Sequence, residues 1–253
     1  MPVDLVSSIP KKLKDDAIIE ALCEFRFECD DVPERVIGRL SDYESWNSYT
    51  PERLPSSAIP PFVKAHDPNL KYQPVLQLRS EDSLFLVKIG SNVISFHNLG
   101  NYCGWDEIRP RLHDVSSLLF GKFTNLSVTR MGFRYLNALT PKRHLINSVA
   151  ELNVTLQVAD EALSNPINLN YGIKFADEHY CMTRIATPEF VQGKLPEGSV
   201  VIVDIDVHTS DSFRSDNHDE IVSWTEDAHT YEKQAFFRLI PPNVLEELVE
   251  DEK

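Results

Sequence analysis

The sequence predicts an α+β fold: two similar lobes, residues 1–122 and 123–253, each a curved antiparallel sheet packed on one long amphipathic helix. Three observations carry this. Apolar and polar residues alternate with period two in several short runs, most clearly in Leu22-Cys23-Glu24-Phe25-Arg26-Phe27-Glu28. Short polar turns join such runs into meanders. Each half then closes on a stretch with apolar residues at spacings of three and four.

In chain order, Ala21, Cys23, Phe25 and Phe27 share the apolar face of the first strand, with Glu24, Arg26 and Glu28 on the other. Val32 to Leu40 suits a short helix, with Pro33 in its first turn. Residues 47–75 hold six prolines and read as an irregular loop. Strands are expected at Leu76–Arg79, Leu84–Ile89 and Val93–Phe96, joined by Ser80-Glu81-Asp82-Ser83 and Gly90-Ser91-Asn92. Trp105, Ile108, Leu112, Val115 and Leu119 form one helical stripe that Gly121 would end.

The second half repeats that order. Val128 to Asn137 reads as a strand, and Leu145 to Leu152 as a short helix after Pro141. Further strands fall at Val154–Val158, Asn170–Phe175, Tyr180–Ala186 and Ser199–His208. Ile221, Trp224, Ala228, Tyr231, Ala235 and Leu239 form the closing stripe. Pro241-Pro242 stop it, and Asn243 would cap a last acidic turn. A single continuous sheet with two helices on one face is the alternative arrangement.

The 253 residues carry 39 acids against 25 bases, a net charge of −14. Residues 211–253 alone hold 12 acids and 4 bases. An acidic surface repels phosphate backbones, so unaided nucleic-acid binding is disfavoured. The basic cluster Lys11-Lys12-Lys14 reads as a solvated arm, and Leu239 to Lys253 as an acidic tail that either aids solubility or meets a basic partner. No window approaches about 18 consecutive apolar residues, and no secretory signal is legible in residues 1–14. A cytoplasmic protein with reduced cysteines is the expectation. Cys23, Cys29, Cys103 and Cys181 form no C-x-x-C pair. Phosphate-loop, dinucleotide-binding, H-E-x-x-H and G-x-S-x-G motifs are absent, and the nine glycines leave little material for a phosphate-cradling loop.

The sharpest constellation is Val203-Asp204-Ile205-Asp206-Val207-His208, where alternation places Asp204, Asp206 and His208 on one strand face. Asp204 and Asp206 together offer the oxygen ligands that Mg²⁺ or Mn²⁺ takes, while His208 lies about 13 Å along the strand from Asp204, too far to share one ion. The competing assignment is structural. Arg130 and Arg134 share one face of their strand with Gly132 between them, and Arg26 is placed similarly on the first strand. Such arginines and aspartates satisfy one another as a cross-strand ladder of ion pairs. A third assignment has Arg130 and Arg134 gripping an anionic ligand. His229, beside Asp227 and next to the closing stripe, reads as an edge position.

Four segments in order resemble a sporadically distributed bacterial protein family of unknown function. They are Ile18-Ile19-Glu20-Ala21 leading into Phe25-Arg26-Phe27, Tyr102-Cys103-Gly104-Trp105, Arg130-Met131-Gly132-Phe133-Arg134-Tyr135-Leu136-Asn137, and Val203-Asp204-Ile205-Asp206. Asp16-Ala17 stands where that family usually has proline, and His208 where it often has an aromatic residue. The resemblance spans about residues 8–240. It implies kinship and a shared fold and makes Arg26, Arg130, Arg134, Asn137, Asp204 and Asp206 the residues of interest. It brings no activity, and its sporadic distribution implies a mobile accessory gene.

The functional expectation is a non-enzymatic accessory or partner-binding protein, in a mobile bacterial defence or toxin-neutralising module, with a protein partner, no membrane and no cofactor. The alternatives are a Mg²⁺- or Mn²⁺-dependent nuclease or phosphohydrolase centred on Asp204 and Asp206, and an anionic-ligand sensor using Arg130 and Arg134.

Overall fold

Eleven strands and seven helices make up the described chain, which in this computed structural model comprises residues 9–10, 13–162 and 166–249. Their order is β1 (Ile18–Glu28), α1 (Pro33–Ser41), β2 (Thr50–Arg53), α2 (Pro61–His66), α3 (Pro68–Lys71), β3 (Leu76–Arg79), β4 (Phe85–Ile89), β5 (Val93–Leu99) and α4 (Trp105–Lys122). There follow β6 (Ser127–Leu139), α5 (Pro141–His144), β7 (Gln157–Val158), β8 (Glu161–Ala162), β9 (Asn168–Ala176), β10 (His179–Ala186), β11 (Val201–His208), α6 (His218–Leu239) and α7 (Pro242–Leu248). Nine strands join in one large antiparallel sheet, ordered β2-β3-β4-β5-β1-β6-β11-β10-β9, and β7 and β8 form a separate ribbon. Nine of the eleven strands therefore lie in one continuous sheet.

Two compact units divide the chain. One comprises residues 20–133 and 208–227, the other residues 1–19, 134–207 and 228–253, so β1, β6, β11 and α6 each contribute to both.

In the unit of residues 20–133 and 208–227, β1 alternates as its sequence requires. Ala21, Cys23, Phe25 and Phe27 are buried, and the residues between them are half-buried. The strand pairs antiparallel with β5, from Glu20 opposite Leu99 to Arg26 opposite Val93. The β4–β5 turn needs glycine at position 90, because a Cβ there would stand 2.8 Å from Val93 Cγ1 and 3.0 Å from the Gln73 carbonyl oxygen. Gly104 caps α4 at φ +94°, a left-handed conformation that glycine tolerates. The stripe of α4 is buried at Ile108, Leu112, Val115 and Leu119, and Trp105 meets Phe133 edge-on with ring centroids 5.7 Å apart. Each such side chain contributes about 1.5–3 kcal/mol by leaving water.

In the other unit, β9 and β10 pair antiparallel from His179 opposite Ala176 to Ala186 opposite Asn168. Tyr135, Leu139, Ile185, Val203, Ile205 and Val207 are buried from the sheet, and Ala228, Phe236 and Leu239 from α6. Leu13 bridges Val249, and the Lys14 N–H donates to the Leu248 carbonyl. The acidic segment is thus docked as far as Val249. Lys11 and Lys12 of the basic cluster and residues 250–253 of the tail lie outside the described residues.

Several expectations are corrected. The proline-rich stretch 47–75 holds β2, α2 and α3, and each helix starts on a proline, whose missing N–H costs nothing in a first turn. Gly121 lies within α4, which ends at Lys122. Residues 145–152 are not a helix: α5 ends at His144, Leu145 turns left-handed at φ 57°, and only a 3-10 turn follows at Val149–Glu151. Asn243 lies inside α7, whose N-cap is Pro241. Between 154 and 158 only Gln157–Val158 is strand.

Candidate functional site

Alternation along β11 buries Val203, Ile205 and Val207 and leaves Asp204, Asp206 and His208 half-buried on the other face. On β6 the same period turns Arg134 away from buried Phe133 and Tyr135. Arg134 then meets Asp204 side by side: Nε donates to Oδ1 and Nη2 to Oδ2, both at 2.6 Å. This two-pronged pair is the strongest geometry an arginine and a carboxylate can adopt. The Asp204 side chain is 15% exposed and that of Arg134 40%.

Water reaches the guanidinium, so the pair lies between the exposed and buried limits. Asp204→Ala is expected to cost about 1–2 kcal/mol, read from denaturant unfolding. A double-mutant cycle with Arg134→Met should return most of that as coupling, and a coupling near zero would show that the pair is ornamental.

Arg26 and Arg130 find a different acid. Arg26 Nε donates to Glu24 Oε1 at 2.8 Å, and Arg130 Nη1 lies 3.5 Å from the same oxygen. Arg26 also lies over the Tyr72 ring, 4.6 Å from its centroid. The sequence put Glu24 and Arg26 on one face without assigning them to each other. Asp206 shares the strand face of Asp204 and is itself engaged in a polar or electrostatic interaction. His208 Nδ1–H donates to the Thr209 carbonyl at 2.9 Å.

Asn137 lies apart from these charges. It is buried on the opposite face of β6, where Nδ2 donates to the Val203 carbonyl at 3.2 Å and to that of Tyr135 at 3.4 Å. The same side chain hydrogen-bonds Glu232 of α6.

Glu232 is the polar residue that sequence reading missed. It is 2% exposed, and among the described residues its Oε1 has no hydrogen-bond partner. Burial holds its carboxyl well above the ordinary carboxylate range, against the weaker pull of Lys233 and Asn137. The signal was present: Glu232 follows Ala228 by four residues and precedes Ala235 by three, on the closing stripe itself.

Around Glu232 lie further groups with shifted protonation. The Tyr135 hydroxyl and His229 Nδ1 are 3.1 Å apart, and burial, aided by Lys233, pushes the His229 imidazole down to about 3. Burial pushes the Cys181 thiol up to about 11, and its Sγ lies 3.6 Å from Thr183 Oγ1. Burial thus disfavours the charged form of all three groups, the carboxylate, the imidazolium and the thiolate. That is the reverse of what a thiolate nucleophile or a general base near its working pH requires.

Among the described residues no group of three or more His, Cys, Asp and Glu side chains is arranged to hold a metal ion. Each oxygen of Asp204 accepts a hydrogen bond from Arg134, so a Mg²⁺ or Mn²⁺ bound there would compete with the guanidinium for the carboxylate's charge.

Strand, sheet order and site define an α+β protein whose most prominent charged side chains are turned onto one another. The chain matches no family model and no curated protein.

Proposed function

We propose that this is a non-catalytic accessory protein that works by binding a protein partner in the cytoplasm, within a mobile bacterial defence or toxin-neutralising module. The observation that carries this reading is the Arg134–Asp204 pair. The residues best suited to chemistry are held in a fixed, half-exposed ion pair, an arrangement that suits recognition of a complementary surface. The net charge of −14 favours a basic protein partner over nucleic acid. Among the described residues no helix is long and apolar enough to cross a membrane.

The test is co-expression with the products of the flanking genes, followed by size-exclusion chromatography. Co-elution with one of them, weakened by Asp204→Arg, is the expected result. A chain that elutes alone beside every neighbour would count decisively against the reading. The metal-dependent reading makes the opposite forecast, Mn²⁺ binding lost on Asp204→Ala. The anion-sensor reading has less support, because Arg130 and Arg134 both have carboxylates beside them.

We also propose that the two halves descend from one duplicated strand-and-helix unit. Sheet order supports this: from edge inward, β2-β3-β4-β5-β1 precedes α4 and β9-β10-β11-β6 precedes α6, each half placing its first strand innermost, with β2 an extra edge strand in the first half. Alignment of the two halves in distant homologues should show shared spacing of apolar positions, and unrelated spacing would refute the duplication.

A further inference from the structure

In the unit of residues 20–133 and 208–227, the stretch that sequence reading left as a loop encloses a cavity of about 480 Å³. That is the size of sites that hold small organic ligands. Its wall is partly aliphatic, through Ile37, Ile59, Val75 and Leu76. Three cations also line it: Arg53 of β2, Lys64 of α2 and Lys71 of α3. Glu34 is the acid among its lining residues.

Lys64 is the unusual member. It is only 8% exposed, and among the described residues none gives its side chain a hydrogen bond or an ion pair. Its aliphatic stem is covered while the ammonium still touches open space, an arrangement in which a long cation buries its stem and presents its head group to the cavity it lines. Desolvation accordingly pushes its pKa down. Arg53 likewise has no ion-pair partner among the described residues, whereas Lys71 is paired with Glu28 at 3.1 Å. On a chain with a net charge of −14, a partly aliphatic cavity lined by Lys64 and Arg53 against the single acid Glu34 is the reverse of the surrounding field.

We propose that this cavity binds a small organic anion, a carboxylate or phosphate ester with an aliphatic body, whose charged group is met by Lys64 and Arg53. The ligand supplies the counter-charge that the fold withholds from Lys64. Its aliphatic body lies along Ile37, Ile59 and Leu76. Aromatic rings are not among the lining residues, so stacking with a planar base is not what the cavity selects for. The inference stands apart from the partner-binding reading, since it concerns other residues and needs no second protein.

The test is calorimetric titration of the full chain at low ionic strength with octyl phosphate, octanoate and octylammonium. Binding of either anion, with octylammonium weaker by about tenfold or more, is expected, and the tighter anion identifies the head group. Lys64→Met should lower anion affinity by about tenfold or more and raise the melting temperature of the unliganded chain, because a partly desolvated charge has gone. Arg53→Gln, on an exposed strand where folding is not at stake, should weaken the same anions with the melting temperature unchanged. Failure of both anions to bind, binding of octylammonium as tightly as theirs, or anion affinity unchanged in both variants would each overturn the proposal.

Discussion

Glu232→Gln should make the protein more stable at neutral pH, by about 1–3 kcal/mol, and should flatten its pH dependence. The carboxyl is 2% exposed, its Oε1 has no hydrogen-bond partner among the described residues, and burial holds it well above the ordinary 4.5. The sign follows from counting protons. Well below pH 4.5 the group is protonated whether the chain is folded or not, and it contributes nothing. Above that value the unfolded chain releases the proton while the folded chain keeps it. The unfolded state then binds fewer protons, so stability falls as pH rises, until the folded carboxyl itself ionises. Gln keeps the shape and can hydrogen-bond Asn137, but it has no proton to lose. At about 2–4 °C per kcal/mol for a chain of this size, thermal unfolding followed from about pH 5 to about pH 8 resolves the effect. His229, pushed down to about 3, acts on the acid side with the opposite slope and is common to both proteins. A variant whose melting temperature drops at neutral pH, or parallels the parent across the range, would show that Glu232 is ionised and compensated in the fold.

Phe133→Ala should cost about 3–5 kcal/mol, a large part of the 5–15 kcal/mol that stabilises a typical domain. Phe133 is 1% exposed and meets Trp105 of α4 edge-on, with ring planes at 89°. Truncation removes the transfer energy of the ring and leaves a void that the sheet cannot close, because its neighbours Met131 and Tyr135 are equally buried. Phe133→Leu fills most of that space and should cost clearly less, about 1.5 kcal/mol or below. Guanidinium unfolding of the two variants separates these values. A loss under about 1 kcal/mol for the alanine variant would mean that the contact between α4 and β6 matters little to stability.

Where the sequence reading succeeded, the signal was periodic. The face assignment of β1 follows from Cys23, Phe25 and Phe27, all of them fully buried. The stripe of α4 needed no tertiary information either, because Ile108, Leu112, Val115 and Leu119 repeat with the helix. Reading failed where elements are too short to show a period. The six residues of α2 make under two turns, and Pro51 within β2 argues against a strand unless the strand lies at an edge, as β2 does. At the charged strands the sequence placed Arg134, Asp204 and Asp206 on polar faces and left their pairing open. It passed over Glu24 as the partner of Arg26 and Arg130.

The sequence by itself determined which side chains face the core along each long strand and helix, because those faces repeat every two or 3.6 residues and need only local geometry. Tertiary structure alone decided which charge meets which. Arg134 and Asp204 are 70 residues apart in the chain and 2.6 Å apart in space. It also decided that Glu232 loses its water, and that among the described residues its Oε1 gains no hydrogen-bond partner. Coulomb attraction and desolvation depend on distance and burial in space, and no spacing along a chain encodes either one.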